Sequence, residues 1–172
     1  MSATSTSSPP AAHTPALASS HDLDRLDRKI LSVLQSDGRI ATVDLADKVG
    51  LSPTATTERV KRLTRDGYIT GYGAKLDPIK LGLSLLVFIE LTLDRTTADV
   101  FERFDSAVRR APEVLECHLV AGGFDYLIKT RVPDMAHYRR FLGEVILTLP
   151  GVRATHTYAV MEEIKNGGAL PL

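Results

Sequence analysis

A single cysteine, Cys117, stands in 172 residues. No intramolecular disulfide can form, and such usage fits a reducing compartment. Net charge is also missing: 21 Lys and Arg balance 21 Asp and Glu. The chain therefore does not hold polyanions by bulk charge, and any grip on nucleic acid must come from a local patch. No apolar run approaches the roughly 18 residues that a membrane-spanning helix needs. The N-terminus has neither a basic start nor an apolar stretch, so a secretory signal is not expected. These absences predict a soluble cytoplasmic protein with no membrane partner. The motifs of common catalysts are lacking as well: there is no nucleophile elbow, no Walker loop and no dinucleotide fingerprint. Cys117 and His118 resemble a nucleophile with its base, but neighbours on a strand point to opposite faces. His118, His137 and His156 are each nineteen residues apart, which is no local metal-ligand spacing. Gly71-x-Gly73 is too little for a phosphate loop and reads as a bend, and Glu162-Glu163 reads as a solvated strand end. No catalytic residue, metal or cofactor is expected, and an enzyme is unsupported.

What is present is a segment from Arg39 to Asp66 that reads as two short helices around a tight turn at Gly50-Leu51-Ser52. Gly50 tolerates the left-handed backbone that ends a helix. Ser52 can cap the next helix, with Pro53 at its first position, where a missing N–H does no harm. Thr56, Val60 and Leu63 form one inward stripe, while Thr54, Glu58, Lys61 and Arg65 face away, flanked by Ala55 and Arg62. A helix pinned on one side with a polar, basic face left free is what a helix-turn-helix places in the major groove. From Asp22 to Leu76, ten Lys/Arg against eight Asp/Glu leave a net of +2, yet Arg59, Lys61, Arg62 and Arg65 lie within seven residues. In this reading Ser52 and Pro53 open the helix. Thr54, Ala55, Thr57, Glu58 and Arg59 read bases, and Lys61, Arg62 and Arg65 hold phosphates.

Residues 1–21, almost all Ser, Thr, Ala and Pro, are expected to be a disordered tail. Residues 22–73 form the helix-turn-helix domain, beginning with a helix from Asp22 to Gln35 and ending in a strand-like stretch, Tyr68–Tyr72, that could serve as a wing. Residues 74–83 are a turn-rich linker. Residues 84–165 contain a repeat of strand, helix, Pro-containing turn and strand: Ser84–Leu93, Thr97–Arg110, Val114–Ala121, Phe124–Val132, a helix capped by Asp134, and Val152–Ile164. The order βαββαβ is the ferredoxin-like split unit, with both helices on one sheet face. Residues 166–172 are read as a short, frayed end. The fold class is thus α+β. Leu86 and Phe88, or their neighbours across the sheet, would be exposed on the uncovered face of a monomer and predict a homodimer formed sheet face to sheet face.

One loop in this second half suits a ligand. Gly122 and Gly123 would let backbone N–H groups approach a carboxylate, and Asp125 could receive an ammonium. Met135 could line an apolar pocket. Together they fit the two ends of a free amino acid. The plainer alternative is a hairpin turn in which Asp125 bonds its own backbone.

The span from Leu23 to Lys165 resembles the leucine-responsive regulatory protein (Lrp/AsnC) family of transcription factors. The resemblance is carried by Leu23-Asp24-Arg25-Leu26-Asp27, Asp37-Gly38-Arg39-Ile40, Val49-Gly50-Leu51-Ser52-Pro53-Thr54, Glu58-Arg59-Val60, Glu116-Cys117-His118-Leu119-Val120, Phe124-Asp125-Tyr126-Leu127 and Lys129-Thr130-Arg131-Val132-Pro133-Asp134-Met135. It implies an N-terminal domain binding double-stranded DNA and a C-terminal effector and assembly domain, in a cytoplasmic, nucleoid-associated protein. It implies homodimers that build octamers and a small amino-acid effector, leucine or another, held between C-terminal domains. The effector residues it implies are Leu119, Gly122, Gly123, Phe124, Asp125, Tyr126, Met135, Tyr158 and Val160. Gly123 stands where the family has an acidic residue, so a different preferred amino acid is expected. The alternative from another class is an amino-acid sensor acting through a protein partner, with the helical domain as a docking surface.

Overall fold

The structure, a computed structural model, describes residues 23–172. The tail expected over residues 1–21 lies outside the described residues. Two compact units emerge: one runs up to Ala74 and takes in Gly167–Leu172, and the other spans Lys75–Asn166.

The first unit has three helices, α1 (Arg25–Ser36), α2 (Thr42–Val49) and α3 (Pro53–Arg65). Asp24 caps α1 through a reciprocal capping box with Asp27. Gly50 ends α2 with φ of 79°, a conformation that costs glycine nothing and most residues much. Ser52 then accepts the Ala55 N–H and opens α3, with Pro53 in its first turn. Ile30, Leu31, Leu45, Val49 and Leu63 form the buried core of this unit. Thr56 is fully buried with them. The stretch Tyr68–Tyr72, expected to be strand-like, forms no strand. It has no strand partner among the described residues of its unit. Instead the Tyr68 and Ile69 N–H groups both return to the Leu63 carbonyl. The end at 167–172, expected to be frayed, packs with this unit: Gln35 and Leu170 exchange two hydrogen bonds.

The second unit is built from β1 (Leu85–Leu93), α4 (Ala98–Val108), β2 (Val114–Leu119), β3 (Tyr126–Val132), α5 (Met135–Glu144), a single 3-10 turn and β4 (Val152–Ala159). The strands form one antiparallel sheet in the order β2-β3-β1-β4. Alternate β1 residues Val87, Ile89, Leu91 and Leu93 meet Val100, Phe104 and Val108 of α4 and Tyr138 and Phe141 of α5 in a single core. Both helices therefore cover the same face. Gly151, before β4, has φ of 78°, and a Cβ there would stand 2.6 Å from Val100. That turn accepts no other residue without moving its neighbours.

The other sheet face is less apolar than expected. Leu86 is buried rather than exposed, and Phe88 is half-buried. Register puts Arg131 beside Leu86 and Lys129 beside Phe88. Arg131 pairs with Glu163 and Lys129 with Glu116. Glu163, expected to be merely solvated, is thus engaged. The face is a patchwork of aliphatic groups and ion pairs, not a continuous apolar patch.

Candidate nucleic-acid interface and ligand site

In the helical unit, Ser52, Pro53, Thr54 and Glu58 are exposed along the first turns of α3, and Ala55 and Thr57 are partly so. The Thr57 hydroxyl donates to the Pro53 carbonyl, which leaves its oxygen free to accept. Lys61 and Arg65 project into solvent with side chains 69% and 72% exposed. Their partners, Glu58 and Asp66, form surface pairs of the kind worth well under about 1 kcal/mol. Both cations can exchange those partners for phosphate.

Arg59 and Arg62, expected to read a base and hold a phosphate, are each paired with carboxylates of the same unit. Both turn back onto α1. Arg59 Nη1 donates to Asp24 Oδ2 at 2.6 Å and to Asp27 Oδ1 at 2.8 Å. Arg62 Nη2 reaches both Asp27 oxygens at 2.6 Å. The Asp27 side chain is only 3% exposed. A carboxylate sealed this far from water needs such donors. The Asp27 N–H and then Arg59 hold the Asp24 carboxyl below the ordinary carboxylate range. Its hydrogen bond, followed by that of Asp27, in turn pushes the Arg59 guanidinium further up. These two arginines tie α3 to α1. A signal for this lay in the sequence: Asp24 and Asp27 are three apart on one helix, and Arg59 and Arg62 are three apart on another, so each pair shares a face.

In the sheet unit the expected ligand residues do not gather. Gly122 and Gly123 are exposed in the β2–β3 turn, and neither takes a left-handed backbone. A Cβ on either would meet nothing within 4 Å. Asp125 bonds neither its own backbone nor a free space: its Oδ2 accepts the Leu93 N–H at 2.7 Å, while its own N–H donates to the Leu91 carbonyl. Phe124 is partly buried, whereas Tyr126 is buried beneath the helices. Tyr126 stacks on Phe104 at 4.2 Å and donates its hydroxyl to Asp105. Burial, reinforced by that hydrogen bond, raises its pKa well above the usual tyrosine value, making the hydroxyl a weaker acid. Leu119 lies opposite Tyr126 in register, 64% exposed. Met135, also exposed, begins α5 beyond the other end of β3. That end is about 20 Å from Tyr126 at the rise of a strand. Val160 bonds Leu86 near the same far end, and exposed Tyr158 pairs with Phe88 mid-sheet. One protomer therefore offers two separate sets of residues, not one pocket.

A cleft of about 390 Å³ does open beside β2, lined by Asp105, Arg109, Cys117, Leu119 and Tyr126 among others. Cys117 faces the core and His118 the opposite side, where it pairs with Glu116. Burial and the Asp105 charge push the Cys117 thiol up to about 11, so it stays protonated and poorly nucleophilic near neutrality. Among the described residues no three His, Cys, Asp or Glu side chains come together to hold a metal ion. No helix among them is long and apolar enough to cross a membrane.

A capped recognition helix with a free cationic end, joined to a βαββαβ sheet unit, defines a DNA-binding regulator with a separate ligand-binding domain. Comparison with known proteins agrees. The winged helix-turn-helix DNA-binding family matches residues 23–70, and the Lrp/AsnC ligand binding domain matches residues 86–170. The leucine-responsive regulatory proteins of Klebsiella pneumoniae and Escherichia coli K12 are each 60% identical over 149 residues, covering 87% of this chain and 91% of theirs. A transcriptional regulator of Neisseria meningitidis, solved as a complex with L-methionine, superposes with a TM-score of 0.83 at 37% identity, covering 87% of this chain and 97% of that one. An AsnC family regulator of Agrobacterium tumefaciens gives 0.82 at 38% identity, over 86% and 96%. The chain belongs to the Lrp/AsnC family of transcriptional regulators, and it is not an enzyme.

Proposed function

We propose that this regulator is tuned by a small amino acid bound between copies of its C-terminal domain. The observation that carries this reading is the split of the ligand residues. Leu119 and Gly122–Tyr126 sit at one end of β3, and Met135 and Val160 at the other. Only a second copy, laid against the first, could bring such sets to one ligand. The two glycines support it further, since nothing inside the protomer requires them. Homodimers assembling toward octamers in the cytoplasm, on the nucleoid, complete the proposal. Leucine and methionine are the first effectors to try, because related proteins carry those names or ligands.

On DNA, Ser52, Pro53, Thr54, Ala55, Thr57 and Glu58 lie along the groove and Lys61 and Arg65 hold phosphates. Arg59 and Arg62 act from behind by fixing the helix. Thermal shift against the twenty amino acids, read together with particle size, tests the ligand part. At least one amino acid should raise the sheet unit's melting point and change the assembly. If none does either, the effector assignment falls. Footprinting on a neighbouring promoter tests the DNA part separately: the absence of protection at physiological ionic strength would remove α3 from the groove.

A further inference from the structure

The segment Gly167-Gly168-Ala169-Leu170-Pro171-Leu172 belongs neither to the reading helix nor to the ligand sheet. It groups with the helical unit although the sheet unit precedes it in the chain. Gln35, near the end of α1, grips it from both sides. The Leu170 N–H donates to Gln35 Oε1 at 2.6 Å, and Gln35 Nε2 donates to the Leu170 carbonyl at 3.2 Å. One side-chain amide thus satisfies both backbone groups of a residue, as a neighbouring strand would. Leu170 and Leu172 form one wall of an apolar groove of about 340 Å³, with Leu31, Leu34, Ile69 and Tyr72 across from them. Leu172 stays 48% exposed and Leu170 72%. Hydrogen bonds rather than burial therefore hold the segment, and a hold of that size is reversible.

We infer that residues 167–172 are a removable strap, seated in the groove between α1 and the Tyr68–Tyr72 stretch of the same chain. That stretch carries the chain out of the recognition helix and has no strand partner in its unit among the described residues. Its backbone is tied to α3 through the Leu63 carbonyl, and the strap ties it to α1 as well. Seating the strap stiffens the exit of α3, and releasing it loosens that exit without touching a DNA-facing residue. The strap does not depend on which ligand the sheet unit binds.

Hydrogen exchange over residues 68–72 and thermal melting test it. They compare the full chain, a chain ending at Asn166, and the full chain with Gln35→Ala. Exchange at 68–72 should speed up several-fold in both variants, and the helical unit of the shortened chain should melt about 5 °C lower. The sheet unit's melting should not move. An excess of the peptide GGALPL should restore protection to the shortened chain. Equal protection in the shortened and full chains overturns the strap. Restoration by an equimolar amount of full chain, where the same concentration of peptide has no effect, would give the groove to a second copy's segment and overturn docking within one chain.

Discussion

The two units solve the same problem by different chemistry. The sheet unit buries a broad apolar cluster in which Phe104, Ile89, Leu91 and Ile128 are wholly shielded. The helical unit has a smaller apolar cluster and seals a carboxylate, Asp27, beside it under two guanidiniums. A domain of some fifty residues removes a smaller share of its apolar surface from water than a larger one and is correspondingly marginal. Ion pairs joining α1 to α3 supplement that burial. The lesson is that charge in the helical unit is partly architecture, whereas the ion pairs of the sheet unit lie at its surface and its core is apolar.

Five measurements would break or sharpen this contrast. Phe104→Ala removes the ring stacked on Tyr126, and should cost the sheet unit about 3–5 kcal/mol. Denaturant melts should show that transition move while the helical one stays, and movement of both would deny that the units are independent. Asp27→Ala leaves two arginines facing each other and should cost the helical unit about 2–4 kcal/mol, less than a fully buried pair because the arginines are partly solvated. A loss below about 0.5 kcal/mol would reduce the cluster to surface decoration. Acid should discriminate next. The folded Asp24 carboxyl lies below its unfolded value. The stability it contributes is complete above the ordinary value of about 3.9 and disappears as pH falls through the folded one. Circular dichroism melts of Asp24→Asn should show a shallower acid decline below about pH 4 than the parent; identical slopes would contradict this. The smallest effect on stability belongs to Lys61→Ala and Arg65→Ala, which should not move either melt. Each should instead flatten the salt dependence of DNA binding by about 0.9 in slope. Arg62→Ala, by contrast, should act first on the melt, and a pure change of salt slope would return it to the phosphates.

Much of the fold could be read from the residues. Ser52-Pro53 announced α3, and the alternation from Leu85 to Leu93 announced a strand covered on its inward face, because caps and periodicity are local physics. The ion-pair partners of Arg59 and Arg62 could be read only from the matched three-residue spacing of Asp24 and Asp27, not from either arginine alone. A cation's place on a helix tells which way it points, not whether a groove or another helix waits there. Tyr68–Tyr72 has strand-like composition, but a strand exists only with a partner, which composition does not supply. The residues proposed for the ligand were legible by type and not as a site, since Leu119 lies beside one end of β3 and Met135 beyond the other.

The β2–β3 turn has a consequence for the history of such a chain. Gly122 and Gly123 sit in open space with ordinary backbone angles, so a side chain at either place disturbs nothing that keeps the protomer folded. The chemistry of the turn can therefore be changed one substitution at a time, while the sheet and helices beneath it keep every contact they have.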